Sequence, residues 1–287
     1  MTLQSDVAPL RRVVLKHARD AFVSAARIAE QWGALDWLAP PDLDAACRES
    51  DAFGALLESL GVAVEWLPAH DAGLDSIYVR DAALVGDAGV VLSSMGKRTR
   101  AAEPALLGRA LAHVGIPVLG TIEPPGTLEG GDALWLSRDT LVVGRGKRTN
   151  AAGIAQLGAL LPDVDVLTVP LPDWNGPGDV FHLMSVLSPL ADDLALVYPP
   201  LLPHAFRDEL RARGFSLVEV PESELFTQGP NVLAVAPRLA IALEGSPETK
   251  RRMVAAGVEV HTYRGGEISR KGCGGPTCLT RPLERED

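Results

Sequence analysis

Cysteine is scarce in this chain: only Cys47, Cys273 and Cys278 occur in 287 residues. An odd number without framework spacing excludes a disulfide scaffold and suits a reducing compartment, so a cytoplasmic protein is expected. Long apolar runs are also missing. No stretch approaches the ~18 residues that suggest a membrane span, and the first ten residues, with Asp6 and Pro9, carry no apolar centre of a secretory signal. Positive charge is the third shortage. Lys plus Arg number 27 against 37 Asp plus Glu, a net charge of -10 that repels polyanions and favours cationic ligands, so neither nucleic acid nor membrane is expected as a partner. A zinc-type ligand set is absent as well: Cys273 and Cys278 have no second pair at matching spacing, and no metal or other cofactor is expected.

What is present is an ordinary globular composition, 47% hydrophobic and 22% charged. A chain of this length buries roughly three quarters of its unfolded surface, enough to fold without a disulfide or a metal.

A weak pattern recurs five times. A helix-like stretch ends at a glycine or aspartate, and a short strand follows, at Gly61-Val62-Ala63-Val64, Gly115-Ile116-Pro117-Val118, Asp163-Val164-Asp165-Val166, Gly214-Phe215-Ser216-Leu217 and Gly257-Val258-Glu259-Val260. The starts lie 54, 48, 51 and 43 residues apart by subtraction of the residue numbers. Apolar residues at spacings of three and four predict helices over 46–60, 101–114, 151–161, 203–213 and 247–256. Thr99, and Thr149 or Asn150, are placed to cap two of them.

Beyond each short strand comes a polar loop and then a hairpin: 81–85 with 89–93, 132–136 with 140–143, 183–188 with 194–198, and 232–236 with 239–243. The fifth unit runs out of chain after Cys278, and residues 12–16 can supply its missing strand. The expected fold is therefore α/β, a five-bladed propeller of one domain over 1–287. Its blades fall at roughly 40–95, 96–145, 146–200, 201–245, and 246–287 plus 10–20, and the N-terminal strand closes the last one.

In each unit the loop after the short strand carries one reactive or polar side chain: Asp81, Glu129, His182, Asn231 and Cys278. Rotation about a common axis would bring them to one end of it. Cys278 stands in Gly272-Cys273-Gly274-Gly275-Pro276-Thr277-Cys278, which three glycines and a proline keep out of helix and out of a central strand. The glycines are expected to let the backbone bend closely around a small flat ligand.

These residues resemble a known family. Asp75-Ser76-Ile77-Tyr78-Val79-Arg80-Asp81, Leu128-Glu129-Gly130-Gly131-Asp132, Lys147-Arg148-Thr149-Asn150, Phe181-His182-Leu183-Met184-Ser185 and Gly275-Pro276-Thr277-Cys278 occur in the order found in the guanidine-modifying superfamily with the pentein fold, a five-bladed ββαβ propeller. Within it the chain most closely resembles the dimethylarginine dimethylaminohydrolases.

The resemblance implies Cys278 as nucleophile, His182 as acid and base, and Asp81 and Glu129 as guanidinium ligands. Asp75, Arg100, Arg148 and Tyr78 would hold the rest of a small guanidino amino acid, and a second copy of the chain is the one protein partner allowed for. A guanidinium carbon is deactivated by resonance among three nitrogens. Its hydrolysis therefore calls for a soft nucleophile, an anionic cradle and an acid for the leaving amine. The implied reaction converts Nω-methylated arginine to citrulline and a methylamine.

Two departures bear on the substrate. Arg80 stands where mammalian-type dimethylarginine hydrolases have Glu and arginine deiminases have Arg. Met184 stands where deiminases have an aspartate that binds the guanidinium, and the second departure weighs more. Arginine deiminase or hydrolysis of another guanidino acid is the alternative, and a non-catalytic binding propeller is a further one. The segment 18–33 is the expected lid over the site.

Overall fold

A computed structural model describes residues 2–69, 72–173 and 181–286. The chain begins with strand β1 (Leu10–Leu15), two short helices α1 (Ala18–Phe22) and α2 (Ala25–Gln31), the long helix α3 (Leu43–Ser59) and strand β2 (Ala63–Trp66). β2 lies parallel to β1. Four units of one common order follow, each a hairpin, a helix and a strand. They are β3 (Ala83–Gly86), β4 (Gly89–Leu92), α4 (Glu103–His113) and β5 (Val118–Thr121); then β6 (Ala133–Ser137), β7 (Thr140–Arg145), α5 (Ala151–Leu160) and β8 (Asp165–Pro170). The next is β9 (Leu187–Ala191), β10 (Leu194–Val197), α6 (His204–Ala212) and β11 (Ser216–Glu219), and the last β12 (Val232–Ala236), β13 (Leu239–Leu243), α7 (Pro247–Ala255) and β14 (Glu259–Tyr263).

In every sheet the middle strand pairs antiparallel with its hairpin partner and parallel with the strand beyond the helix. β15 (Arg281–Arg285) pairs antiparallel with β1, Leu10 opposite Arg285 and Val14 opposite Arg281, so the first of five three-stranded sheets is built from both chain ends. The sequence-based units therefore need shifting. They ran from helix to hairpin, whereas each sheet runs from hairpin to the strand after the helix and so crosses the boundaries at 95, 145, 200 and 245.

Middle strands such as β4 and β10 are buried throughout and read as continuous apolar runs, while the outer strands β2 and β5 expose their first and last residues. Gly61, Gly115, Gly214 and Gly257 end four of the helices at φ between 82° and 91°, a left-handed turn that favours glycine. That shared need is why the repeat is visible in the sequence at all. Asn150 caps α5 through Gly153 N, as expected. Thr99 does not cap α4; it lies in a 3-10 turn, Arg98–Arg100, and the helix starts at Glu103 without a side-chain cap. Residues 183–185 likewise form a 3-10 turn rather than the start of a strand, which begins at Leu187.

The apolar contacts follow the order of the sheets and close on themselves. Val14 and Leu283 of the first sheet pack with Val85 and Val90 of the second, and Leu84 and Val91 with Trp135 and Leu141 of the third. Leu134 and Val142 meet Leu187 and Leu196, which share a cluster with Val232 and Ala240, and Leu233 and Ile241 return to Leu10 and Val13. Side chains such as Leu57 and Phe53 of α3, exposed by 0% and 2%, each contribute about 1.5–3 kcal/mol by burial. Among the described residues no helix is long and apolar enough to cross a membrane.

The first turn of α5 tests the packing. A Cβ at Gly153 would run into the carbonyl of Thr127. Gly→Ala inside a helix ordinarily gains about 1 kcal/mol, but overpacking against backbone costs about 1–3 kcal/mol. Gly153→Ala is expected to lower the urea midpoint of unfolding; an unchanged or higher midpoint would show that this contact yields.

Candidate active site

Loops at equivalent places in four of the five units line one cavity of about 560 Å³, and the loop of the remaining unit stands behind its wall, where Glu129 meets the lining residues His182 and Arg148. Asp81 follows the 3-10 turn Leu74–Ile77, Glu129 immediately precedes the turn Gly130–Asp132, and His182 immediately precedes the turn Leu183–Ser185. The last two turns are alike in backbone: Asp132 N donates to Glu129 O at 3.0 Å and Ser185 N to His182 O at 2.9 Å. Asn231 leads into β12, and Cys278 stands just before β15. Asp81, Glu129 and Asn231 are 3%, 0% and 1% exposed and Cys278 is 8% exposed, so the reactive groups are withdrawn from bulk water.

His182 Nε2 and Glu129 Oε2 are 2.7 Å apart, and His182 Nδ1 lies 3.7 Å from Asp81 Oδ1. This closeness requires a glycine beneath it, because a Cβ at Gly131 would sit 2.6 Å from Asp81 Oδ1 and 2.7 Å from His182 Nδ1. The glycines of the cysteine loop serve a similar purpose. Gly272 and Gly274 lie against Tyr78, and a Cβ at Gly275 would stand 2.5 Å from Asn231 Oδ1. They make room for these neighbouring side chains, and Gly272 and Gly274 also line the cavity.

Asp81 Oδ2 accepts from Arg100 Nη1 at 2.5 Å, while Oδ1 is buried without a hydrogen-bond partner, its neighbour being His182 Nδ1 at 3.7 Å. Arg100 also donates to both oxygens of Glu103 and to the carbonyls of Asp75 and Tyr78. Although it borders the cavity, it is 3% exposed and committed to holding Asp81, which departs from the substrate-binding place assigned to it. Tyr78 likewise presents its ring to the cavity but donates its hydroxyl to Ile268 O at 3.1 Å.

Arg148 and Asp75 line the cavity as expected. Arg148 Nη1 donates to Glu129 Oε2 at 2.9 Å; Asp75 accepts from Trp37 Nε1 and Lys97 Nζ, both at 2.8 Å. Leu35 and Asp36, just beyond the segment expected as a lid, line the cavity.

Two site residues escaped the sequence reading. Lys97 reaches the cavity, donates its amine also to Leu35 O, and donates its backbone N–H to Glu129 Oε1 at 3.0 Å. Its place one residue before Arg98, as Lys147 precedes Arg148, was the available signal. Asp132, fully buried, accepts from Thr149 Oγ1 and from Leu183 N, and so ties the Glu129 loop to the His182 loop. Thr149 is thereby engaged between Asp132 and Glu129 N rather than capping α5.

The electrostatics divide the roles. Burial works against a charged imidazole at His182, but Asp81, Asp132 and Glu129 together outweigh it and hold its pKa up to about 9. Burial also opposes the Glu129 carboxylate, yet His182, Arg148 and Arg100 keep its pKa well below the usual range. Burial, seconded by Asp81, pushes the Cys278 thiol up to about 12, against the hydrogen bond from Asn231. In the free protein the sulfur is thus a thiol and the imidazole a cation. Asp81, Glu129 and His182 each bring one ligand atom within 4.8 Å of the others, a set able to hold a metal. Arg100 and Arg148 already stand against those carboxylates as counter-charges, and the open Oδ1 of Asp81 suits an organic cation with N–H donors equally well.

Residues 42–284 match the family described as N,N dimethylarginine dimethylhydrolase, eukaryotic. The N(G),N(G)-dimethylarginine dimethylaminohydrolase of Streptomyces coelicolor is 32% identical over 246 residues, 81% of this chain and 88% of that protein. An arginine deiminase of Listeria welshimeri is 28% identical over 254 residues, 73% of this chain but only 61% of the deiminase. Among solved structures, dimethylarginine dimethylaminohydrolase from Pseudomonas aeruginosa in complex with citrulline superposes with a TM-score of 0.78, at 23% identity, over 96% of this chain and 100% of that one.

The imidazole charge has a measurable sign. A histidine pKa raised from 6.5 to about 9 contributes stability that is complete below pH 6.5 and lost as pH rises through about 9. The difference in unfolding free energy between the wild type and His182→Gln is expected to shrink over that window, and the His182 ring resonances to titrate near its upper end. A midpoint at or below 6.5 in the NMR titration would refute the assignment.

Proposed function

The chain belongs to the N,N-dimethylarginine dimethylhydrolase family, and on that premise we propose that it hydrolyses Nω-methylated arginine to citrulline and a methylamine. The observation that carries this reading is Oδ1 of Asp81, buried without a hydrogen-bond donor and met at 3.7 Å by His182 Nδ1, on a residue that lines the cavity together with His182 and Cys278. An unpaired carboxylate oxygen out of water is costly, and a guanidinium N–H is the donor that would satisfy it. The cyclic packing of the five sheets supports a single five-bladed propeller with this cavity at one end of its axis.

The reaction follows from the charges. The substrate guanidinium enters between Asp81 and Glu129, and its positive charge beside Sγ favours the thiolate, so that the thiol gives its proton to solvent water on binding. The thiolate attacks the guanidinium carbon and forms the C–S bond. His182, already protonated near neutral pH, gives its proton to the departing nitrogen as the C–N bond breaks. An S-alkylthiouronium remains on Cys278. His182, now neutral, takes a proton from water as that water attacks the same carbon; the C–S bond then breaks as the new hydroxyl gives its proton to solvent, releasing citrulline and the thiolate.

Phe181, Val186, Leu201 and Leu225 line the cavity along with Ser185 and Gln228, and their apolar surface would suit a methylated leaving group. Met184 is 2% exposed within an apolar cluster, so no third carboxylate occupies that sector. Arg80, the feature shared with deiminases, is 2% exposed and pairs with Asp6 at 2.6 Å, which places its charge on a structural partner. For the amino-acid end, Arg148 and Lys97 are the cations suited to the α-carboxylate, and Asp75 to the α-amine.

Citrulline formation from asymmetric dimethylarginine, monomethylarginine and arginine tests the reading: turnover of the methylated compounds is expected, and turnover of arginine alone would overturn it. Cys278→Ser is expected to abolish turnover with the fold retained. Lys97→Met should raise KM by about tenfold with a smaller change in kcat, since it removes binding remote from the reacting carbon. An unchanged KM would remove Lys97 from the carboxylate site.

A further inference from the structure

Asn231 occupies the fourth of the five equivalent loop positions. Its carboxamide is held from three sides, and the partners fix which end faces where. Oδ1 accepts the backbone N–H of Thr277 at 3.1 Å, a group that can only donate. Nδ2 faces the carbonyl of Met184 at 3.4 Å, a group that can only accept. The amide therefore cannot be reversed, and its remaining contact, 3.3 Å to Cys278 Sγ, is an N–H directed at sulfur. Gly275 admits this arrangement, since a Cβ there would stand 2.5 Å from Oδ1. The residue is 1% exposed, so water does not compete for the donor.

We propose that Asn231 is a catalytic residue that stabilises the thiolate of Cys278, fixing Sγ by its N–H both when sulfur attacks the guanidinium carbon and when it is expelled from it. The inference rests on the hydrolase reading for the steps it serves. Burial and Asp81 disfavour a negative sulfur; the backbone hydrogen bond of Gly275 and the charge of Arg80 oppose them, and Asn231 is the side chain that does so by a direct hydrogen bond. Because the amide is locked by Thr277 and Met184, the donor is in place before substrate arrives, and no reorganisation is required as charge develops.

Two variants test it, Asn231→Ala and the near-isosteric Asn231→Asp, which places an acceptor where the donor stood. Folding is checked by thermal unfolding. A hydrogen bond to a charged acceptor moves a pKa by about one to two units, so the acidic limb of the kcat–pH profile should move to higher pH by that amount. KM for the methylated arginine should change little.

A second readout needs no substrate: the rate of Cys278 alkylation by iodoacetamide at pH 8, localised by peptide mass spectrometry. Each unit of raised pKa removes about tenfold of thiolate but returns about threefold in nucleophilicity. The rate should therefore fall about three- to tenfold. Folded variants that turn over slowly with an unmoved acidic limb and an unchanged alkylation rate would overturn the proposal and leave Asn231 a packing residue. Absence of citrulline from the wild type would overturn the substrate reading instead, while the alkylation comparison still decides on Asn231.

Discussion

Asp81 is held by the guanidinium of Arg100, and much of the site depends on that buried pair. Arg100 is anchored in turn by Glu103 and by two carbonyls, so one oxygen of Asp81 is fixed while the other lacks a hydrogen-bond donor and lies near His182. An unpaired carboxylate this far from water is costly. With Arg100 beside it, the loop before the first hairpin can present an anion inside the protein. Glu129 is treated in the same way by His182, Arg148 and the backbone of Lys97.

The charges around the cavity nearly balance. The buried Asp75, Asp81, Glu103, Glu129 and Asp132 face Lys97, Arg100, Arg148 and His182, which leaves about one negative charge when all are ionised, and the exposed Asp36, 3.9 Å from Lys97, adds one more at the rim. Glu103, raised by burial to about 7, moderates that excess near neutral pH. Such an excess favours a small cation, and in the proposed reaction its arrival turns the neutral thiol into a nucleophile. Under that proposal, thiol on Cys278 and imidazolium on His182 keep the sulfur quiet until the cation is bound and keep the acid loaded for the first departure.

Such crowding of polar side chains sets demands on the backbone. Gly131 lies under the Asp81–His182 contact, Gly275 under Asn231, and Gly272 and Gly274 under Tyr78, whose ring stacks on Trp37 at 6.0 Å between centroids. In the sequence these glycines looked like a cradle for a flat ligand. Their contacts show them admitting neighbouring side chains as well, while Gly272 and Gly274 themselves border the cavity.

Periodicity made the repeat legible, because each helix needs an apolar stripe and four of the five end in a left-handed turn that favours glycine, at Gly61, Gly115, Gly214 and Gly257. Cys278, His182, Glu129 and Asp81 could be singled out because each stands in the loop after its unit's short strand, 14 to 21 residues from the unit's first residue. Which hairpin shares a sheet with which later strand was decided by pairing across the helix, and a unit drawn from either starting point has the same pattern. The sequence by itself determined the order of the elements and the chemical types brought to each loop, because these follow from local spacing and residue identity. Only the tertiary structure decided that Arg100 serves Asp81 rather than the cavity, that Lys97 enters it, and that Asn231 turns its N–H toward sulfur. Partnership between charged and polar groups depends on distances set by the packing of different units, and no local pattern encodes those distances.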